Sequence, residues 1–236
     1  MTTVRDVEFE IEGQVHQGRL VAHQGPARPT VLVFHAWDGR SAGVDAMADR
    51  VLGLGWNAFS ADLYGKGVRG DSVESCQALM TPLLNDRARL RRSILRNVEV
   101  VTDQPEVDAG RLAAIGFCFG GLCVLDLARA NGPVRGVASF HGLFTPPGLP
   151  EGPVSPKVVA FHGWNDPMAP PEAVLGFAAE FTRLGADWRL EAFGDTLHGF
   201  MMEGANNPAL GVAYNAVSAN RAWKGLVGFL EEALSA

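Results

Sequence analysis

The sequence predicts an α/β fold: a mostly parallel sheet of about eight strands with helices on both faces and an N-terminal hairpin. Short runs of apolar residues alternate along the chain with stretches whose apolar residues recur at helical spacing. Most of these runs are apolar throughout, which is typical of strands covered on both faces, whereas the first two alternate polar and apolar residues. No linker or repeat divides the chain, and we expect one domain over residues 1–236.

The strands follow in order from these runs. Residues 7–11 and 15–21 alternate in period two around Gly13 and predict the opening hairpin. The further predicted strands are residues 30–35, 56–61, 111–116, 134–140, 157–162 and 188–193. Parallel strands need crossover connections, so helices are expected between them. Their carboxyl ends then share one edge of the sheet, where α/β proteins bind ligands.

Five amphipathic helices are predicted between and after the strands. They cover residues 42–54, 86–102, 120–130, 171–184 and 218–234. In the second of them, Leu90, Ile94 and Val98 recur at a spacing of four residues and form one apolar face. The same helix carries Arg87 and four further arginines off this face, and we expect all five to be solvated.

Composition and charge exclude several classes of protein. The chain holds 20 Lys and Arg residues against 26 Asp and Glu residues, a formal net charge of -6 at pH 7. This acidic balance argues against a nucleic-acid groove and against binding to an anionic membrane surface. With 47% hydrophobic and 19% charged residues, the chain can bury a core and is not disordered. We expect a monomer or a homodimer. Its binding partner is expected to be a small-molecule substrate.

The cysteines and the N-terminus indicate a reducing compartment. Cys76, Cys118 and Cys123 are odd in number and form no C-x-x-C pair, so neither a disulfide framework nor zinc or thioredoxin chemistry is expected. The first residues alternate charged and apolar types and lack the apolar stretch of a signal peptide. No segment reaches the ~18 apolar residues of a membrane span. These patterns predict a cytoplasmic protein.

The most informative stretch is Gly116-Phe117-Cys118-Phe119-Gly120, which leaves an apolar strand and enters an apolar helix. The spacing G-x-C-x-G is that of a nucleophile elbow with Cys in the place of Ser. Glycines two residues away on each side avoid clashes in the tight, strained turn. At a helix N-terminus the helix dipole also favours the thiolate form of the cysteine. The alternative is a buried structural cysteine in a glycine-rich turn.

Two later loops supply the partners that such a nucleophile requires. Asp166 follows the predicted strand at residues 157–162, and His198 follows the last predicted strand. The order nucleophile, acid, histidine is that of an elbow enzyme, and the three loops lie at the same sheet edge. Asp195 competes with Asp166 as the acid, although its short tether to His198 favours a local hydrogen bond. The agreement of three placements predicts a Cys-His-Asp triad.

The chain resembles the dienelactone hydrolase family, a Cys-His-Asp branch of the α/β-hydrolase fold, in more than this triad. The sequence A-D-L-Y-G at residues 61–65 is similar to the family's D-L-Y, and the likeness runs from the opening hairpin to the final helix. The resemblance implies that Cys118 is the nucleophile, that His198 is general base and acid, and that Asp166 orients the imidazole. It implies no cofactor.

The resemblance also implies an oxyanion hole. One donor is the backbone N–H of Phe119, and the second, in the loop after the third predicted strand, is assigned to the backbone N–H of Trp37. The same loop departs from the family pattern. Ala36 stands where dienelactone hydrolases carry a Glu beside the thiol. Asp38 is a candidate to replace part of that carboxylate's role, and a role in a surface turn is an equal alternative.

The substrate-binding residues are predicted to be apolar. Dienelactone hydrolases hold a substrate carboxylate with arginines, whereas residues 71–80 contain no basic residue and His198 is followed by G-F-M-M. The side chains expected around the substrate are Trp37, Phe117, Trp164, Met168, Phe200 and Met201. Such a set suits an apolar or aryl group. We therefore expect hydrolysis of small esters or lactones through a Cys118 thioester, without a metal.

Three further hypotheses arise from the sequence. Phe-His recurs at three strand ends, at His35, His141 and His162, but the spacing offers no i, i+4 metal pair, and capping of strand ends is favoured. A ligand-binding or redox-sensing module on the same scaffold would not need the acid and the histidine. The thiol nucleophile and the apolar pocket also predict promiscuous activity on activated phosphotriesters, because a thiolate leaves more easily than a serine alkoxide.

Overall fold

The computed structural model describes residues 1–235, which form an eight-stranded sheet with helices on both faces. The strands are β1 (Thr2–Ile11), β2 (Gln14–His23), β3 (Arg28–Phe34), β4 (Asn57–Ser60), β5 (Val107–Phe117), β6 (Gly136–Phe140), β7 (Lys157–Gly163) and β8 (Trp188–Phe193). The helices are α1 (Ala42–Leu52), α2 (Val73–Asn85), α3 (Arg87–Thr102), α4 (Phe119–Arg129), α5 (Pro171–Arg183) and α6 (Ala216–Leu234). The strand order is β1-β2-β4-β3-β5-β6-β7-β8, and the predicted fold class is confirmed.

The hairpin and the parallel part of the sheet follow from two patterns in the sequence. β2 pairs antiparallel with both β1 and β4, whereas every neighbouring pair from β4 to β8 is parallel. Side chains of β1 alternate between exposed and more buried positions, while every residue of β4 and β6 is buried. A strand with one solvated face alternates in sequence, and a strand covered on both faces is apolar throughout.

Two apolar cores lie on opposite faces of the sheet. On one face, α1 and α6 pack against the strands through residues such as Val51 and Leu226. On the other face, α3, α4 and α5 pack through residues such as Ile94, Leu125 and Phe177. The apolar stripe predicted for the second helix faces this second core. No helix among residues 1–235 combines the length and the apolar character needed to cross a membrane.

Two elements of the structure have no counterpart in the sequence pattern. α2 begins at a capping box formed by Ser72 and Ser75, contains Pro82 in its interior, and buries only Cys76 and Leu83. So few buried residues leave no apolar stripe to detect. A second, two-stranded sheet pairs β9 (Asn206–Asn207) with β10 (Val212–Ala213).

The arginine-rich helix α3 is not uniformly solvated, and the prediction for Arg87 is wrong. Arg87 is 8% exposed, and its guanidinium donates hydrogen bonds to Asp126 at 2.7 and 2.8 Å. Arg129 donates to Asp126 and to Glu180, and all of these side chains are buried. These four residues, called the ion cluster below, join α3, α4 and α5. The helix sequence does not reveal this burial because the partner carboxylates lie on other helices.

The carboxyl ends of the parallel strands bring the candidate site residues to one edge of the sheet. Cys118 follows β5 directly, and Trp37 lies in the loop after β3. Asp166 lies in the loop after β7, and His198 in the loop after β8. Four separate loops therefore converge where α/β proteins bind their ligands.

Candidate active site

Cys118 stands at the tight turn between β5 and α4. Its backbone has φ 54° and ψ -113°, a left-handed φ that is strained for a residue with a side chain. A Cβ at Gly116 would collide with the carbonyl of Gly120, and a Cβ at Gly120 would collide with the carbonyl of Phe34. Glycine is therefore required on both sides of the turn. The Cys118 side chain is half-buried, whereas the other two cysteines are buried.

The two backbone N–H groups predicted to form the oxyanion hole belong to Phe119 and Trp37. Phe119 is the first residue of α4, so its N–H has no acceptor within the helix. In the loop after β3, the carbonyl of Trp37 accepts a hydrogen bond from the Tyr64 hydroxyl at 3.1 Å, and the Gly39 N–H donates to the carbonyl of Ala36 at 3.3 Å. These bonds fix the loop. Neither the Trp37 N–H nor the Phe119 N–H has a hydrogen-bond partner among residues 1–235.

Asp166 and His198 form a buried hydrogen-bonded pair. Nδ1 of His198 lies 2.8 Å from Oδ2 of Asp166. The other carboxylate oxygen of Asp166 accepts a hydrogen bond from the Met168 N–H at 2.8 Å, which fixes the carboxylate. Asp195 is exposed at a turn with φ 50°, and Asp166 rather than Asp195 is the partner of His198.

The loops that carry this pair are tied to each other and to the small second sheet. The Asn165 N–H donates to the carbonyl of Thr196 at 3.0 Å. The His198 N–H donates to the carbonyl of Gly211 at 2.9 Å, and the Ala213 N–H donates to the carbonyl of His198 at 3.0 Å. The β9–β10 hairpin, which the sequence pattern does not predict, therefore fixes the backbone of a predicted site residue.

The surroundings of His198 favour its protonated form. Burial lowers the pKa of His198, but the interactions with Asp166 and with Cys118 raise it to about 10. Nε2 of His198 is buried and has no partner of good hydrogen-bond geometry among residues 1–235. Because Nδ1 is committed to Asp166, Nε2 is the nitrogen that is available for proton transfer.

A groove of about 450 Å³ opens beside these loops. Ala36 from the loop after β3, Phe117 from the end of β5 and Met201 from the loop after His198 are buried residues of its wall. Met47 of α1 is half-buried and forms part of the outer wall. The groove therefore lies beside the candidate site residues, although its wall includes none of Cys118, Asp166 and His198.

Three charged side chains lie along the groove. Asp38 and Glu203 are acidic, and Arg50 is basic. The guanidinium carbon of Arg50 lies 3.6 Å from the ring centre of Trp223, on which it stacks. The charged side chains of the groove are therefore two carboxylates and one stacked guanidinium.

The similarity of this chain to known proteins extends over nearly its whole length. Residues 17–234 match the model of the Dienelactone hydrolase family. The chain belongs to this family. The solved structure m3DLH has a TM-score of 0.91 at 32% identity, over 99% of each chain. A dienelactone hydrolase-like promiscuous phosphotriesterase from metagenomic libraries has a TM-score of 0.89 at 28% identity, also over 99% of each chain. A curated relative from Aquifex aeolicus, named "Putative carboxymethylenebutenolidase", is 25% identical over 230 residues, which cover 95% of this chain and 96% of the relative.

This dienelactone hydrolase family member has no carboxylate at residue 36. Ala36, which stands where the resemblance predicts a Glu, is buried and lines the groove. Asp38, two residues further along the same loop, is half-buried and lines the groove. It is therefore the carboxylate of this loop that lines the groove.

The structure brings some of the predicted substrate-binding residues to the groove and places others elsewhere. Phe117 and Met201 line it, whereas its lining does not include Trp37, Trp164, Met168 or Phe200. Trp164 and Met168 are 47% and 45% exposed in the loop that carries Asp166. Phe200 is fully buried, with its ring centroid 5.4 Å from that of His141.

Two groove residues of α1, Met47 and Arg50, carry no signal in the sequence. The apolar spacing of this helix predicts only the face that packs on the sheet, which includes Val44, Ala48 and Val51. Met47 and Arg50 lie on the flank of that face and meet the loop after His198. Which flank of a helix borders a cavity depends on contacts between distant segments, so no local pattern reveals it.

The three Phe-His pairs of the sequence end in different environments. Nδ1 of His35 lies 2.6 Å from the carbonyl oxygen of Ala36, and Nε2 of His35 accepts a hydrogen bond from the Leu63 N–H at 3.1 Å, so His35 caps its strand end. His141 and His162 are fully buried, and their ring nitrogens lack partners among residues 1–235. Strand-end capping is therefore wrong for these two. Among residues 1–235, no group of three or more His, Cys, Asp or Glu side chains could hold a metal ion.

Proposed function

We propose that this member of the dienelactone hydrolase family is a carboxylic ester hydrolase that cleaves small neutral esters or lactones through a thioester of Cys118. The observation that supports it best is a strained cysteine at the N-terminus of α4 combined with a buried Asp166–His198 pair whose free nitrogen has no other partner. A ligand-binding or redox-sensing module would not require this pair. The proposed reaction needs no cofactor.

In the first half of the proposed reaction, the Cys118 thiolate attacks the carbonyl carbon, and the π electrons move onto the carbonyl oxygen. The N–H groups of Trp37 and Phe119 stabilise this oxyanion. When the carbonyl forms again, the bond to the leaving-group oxygen breaks, and His198 transfers its Nε2 proton to that oxygen. An alcohol leaves, and the acyl group remains as a thioester on Cys118.

In the second half, the now neutral His198 removes a proton from water, whose oxygen attacks the thioester carbonyl. Collapse of the tetrahedral intermediate breaks the C–S bond and expels the Cys118 thiolate with a carboxylic acid as the product. Asp166 keeps the proton on Nδ1 throughout, so Nε2 faces the reacting atoms in both halves. The imidazolium–thiolate pair is restored.

The groove defines the substrate class in this proposal. Its volume of about 450 Å³ accommodates an aryl group or a medium-length alkyl arm. Met47, Phe117 and Met201 provide apolar contact, while Asp38 and Glu203 repel a carboxylate. We therefore expect neutral, apolar esters to be preferred over esters that carry an anionic arm.

An acyl-chain series of p-nitrophenyl esters tests this function. We expect kcat/KM to rise from acetate to hexanoate by about four-fold for each methylene that enters the groove, equivalent to ~0.8 kcal/mol. Mono-p-nitrophenyl adipate, which has a similar chain ending in a carboxylate, should be about ten-fold poorer than the hexanoate. Cys118→Ala should abolish turnover of the whole series. Wild-type turnover by Cys118→Ala would contradict the thioester mechanism.

A matched pair of variants tests where the apolar arm binds. Met47→Trp fills the groove, whereas Leu79→Trp adds the same bulk to a separate cavity beside α2 and α3. Both residues are half-buried on helices. Met47→Trp should lower the ratio of hexanoate to acetate kcat/KM about ten-fold, because the longer arm then meets the indole ring. Leu79→Trp should keep the wild-type ratio, and equal ratios in the two variants would contradict binding in the groove.

Hydrolysis of activated phosphotriesters is a second proposed activity, and it is supported by a specific comparison. The relative with a TM-score of 0.89 and 28% identity is a dienelactone hydrolase-like promiscuous phosphotriesterase. In this chain, the Cys118 thiolate would attack phosphorus and displace p-nitrophenolate. Water activated by His198 would then break the S–P bond, with the thiolate as leaving group.

The number of turnovers decides this second activity. A dialkyl p-nitrophenyl phosphate should release many equivalents of nitrophenol per enzyme, and Cys118→Ala should release none above background. A burst of one equivalent would show that Cys118 is trapped as a phosphorylated thiol. The proposal of catalytic phosphotriester hydrolysis would then be wrong.

A further inference from the structure

His141 is a buried histidine in direct contact with His198. It follows β6, and its ring centroid lies 4.9 Å from that of His198, with the two ring planes at 69°. Its other ring neighbours are Phe200 and Phe117, at centroid distances of 5.4 and 6.1 Å. The His141 side chain is fully buried, and its backbone has φ 37°, in the left-handed region. The fold thus holds a strained residue against the proposed base.

Both ring nitrogens of His141 lack a hydrogen-bond partner among residues 1–235. A buried donor and a buried acceptor without partners destabilise a protein. A phenylalanine would pack against the same aromatic neighbours, Phe117 and Phe200, without that penalty. Packing therefore does not explain why this side chain is an imidazole.

The two uncommitted nitrogens have an electrostatic consequence. A hydrogen-bond partner fixes a histidine in one tautomer, whereas His141 can adopt the tautomer that turns its lone pair toward a neighbouring cation. Burial and the adjacent His198 hold the pKa of His141 well below its usual range, so the ring stays neutral and does not repel an imidazolium. Its dipole is then available to stabilise a positive charge beside it.

We propose that His141 is a positioning residue whose neutral imidazole dipole stabilises the protonated His198 ring and holds it between Asp166 and Cys118. This inference rests on the proposed function, in which His198 is protonated while Cys118 is a thiolate. His141 acts only through His198, because it is fully buried and is not part of the groove wall.

Four titratable groups act on the His198 ring from different elements. Asp166, from the loop after β7, and Cys118, from the turn before α4, raise the pKa of His198. His141, from the end of β6, touches the ring. The fourth group, His162 on β7, would repel a protonated His198 only as a cation, and burial lowers the pKa of His162 so that its ring is neutral. A test must therefore separate His141 from its neighbours.

His162 provides the matched control. Like His141, it is fully buried at the end of a parallel strand, and neither of its ring nitrogens has a partner within residues 1–235. Its ring neighbours are Phe144 and Trp164, at centroid distances of 5.4 and 6.5 Å, rather than His198. A general effect of losing a buried imidazole should appear in variants of both histidines. The proposed effect on the His198 titration should appear only in variants of His141.

NMR titration of ¹⁵N-histidine-labelled protein, which reports the His198 ring directly, is the decisive experiment. In His141→Phe, the midpoint of the His198 titration and the alkaline limb of kcat/KM should move about one pH unit lower, because the stabilising dipole is lost. His141→Asn keeps an amide dipole and suits a left-handed backbone, so its midpoint should stay within about half a unit of wild type. His162→Phe should titrate as wild type does.

Two outcomes would overturn the inference: a wild-type His198 titration in His141→Phe, or an equal shift in His162→Phe. If His141→Phe does not fold, His141→Gly, which relieves the strained backbone, should show the same lowering of the midpoint. The titration needs no turnover. A wild-type protein without Cys118-dependent ester hydrolysis would refute the proposed function, while the titration would still decide the role of His141.

Discussion

The ion cluster and the surroundings of His198 are both buried and polar, but they satisfy their polar atoms differently. In the ion cluster, Arg87 and Arg129 donate to Asp126 and Glu180 at 2.7 to 3.1 Å. Each of the two guanidinium groups also donates to a backbone carbonyl in the loop after β6. Every charge in the cluster therefore has a partner, which is what buried ions require.

Around His198, by contrast, polar atoms are left without partners and the backbone is strained. Nε2 of His198 and both ring nitrogens of His141 have no partner among residues 1–235. Cys118 and His141 both have positive φ angles. The ion cluster, which joins helices, has complete hydrogen bonds, whereas these unpaired atoms and two strained residues lie together around His198.

The largest expected effect is the loss of ester hydrolysis in Cys118→Ala. We expect kcat/KM to fall by roughly a thousand-fold or more, because members of a triad act as a unit. Cys76→Ala is the control, since Cys76 is buried in α2 and should not affect turnover. Circular dichroism should show that both variants fold. Equal activity in the two variants would show that the region around Cys118 and His198 is not catalytic.

Asp166→Asn should cost less than the loss of the thiol but still about a hundred-fold or more in kcat. An amide at this position no longer fixes the Nδ1–H tautomer of His198. The neutral ring can then carry its proton on Nε2, which cannot accept a second proton from water. Asp195→Asn is the matched control, because Asp195 is exposed in the same region and does not contact His198. A larger loss in Asp195→Asn would identify Asp195 as the acid.

In the ion cluster, the expected effect is on stability and not on chemistry. Arg87→Met leaves Asp126 with one partner fewer in a buried position and should lower the free energy of unfolding by about 3–5 kcal/mol. Arg92→Met, on the exposed face of the same helix, removes a surface pair with Glu12 and should cost less than ~1 kcal/mol. Urea denaturation measures both values. A comparable loss in the two variants would contradict the contrast between buried and exposed pairs.

A further expected effect is a pH dependence of stability that comes from His198. The pKa of His198 is about 10 in the folded protein, above the ordinary value of 6.5. The folded state therefore binds the proton more tightly than the unfolded state, and this stabilisation is full below about pH 6.5 and lost as the pH rises through about 10. Urea denaturation of wild type and His198→Gln between pH 6 and 10 should show the wild-type advantage shrinking. An advantage that grows with pH would contradict the raised pKa.

The position of the elbow could be predicted from the sequence because its determinants are local. Gly116 and Gly120 are required by backbone contacts within a few residues of Cys118 or with the neighbouring strand. The approach of Asp166 and His198 follows from topology, because both come after parallel strands of one sheet. Strand order and short spacing are the information that a single sequence carries well.

The parts that could not be predicted depend on contacts between distant segments. The burial of Arg87 is decided by Asp126, which lies 39 residues away. Met47 belongs to the groove because the loop after His198 supplies other residues of the same wall. α2 escapes detection because Pro82 and its sparse buried residues hide the helical period. In each case the deciding partner lies outside any local window.

The order of the strands leaves β1 and β8 as open edges of the sheet. An open edge presents unpaired backbone groups to which a strand of another molecule can add, which is a route to aggregation. Along β1 the outward positions include Asp6, Glu8 and Glu10, and β8 carries Arg189 and Glu191. An incoming strand would have to strip water from these charges. The two edges therefore resist the growth of intermolecular sheets, and apolar residues at the three acidic positions of β1 would remove that protection.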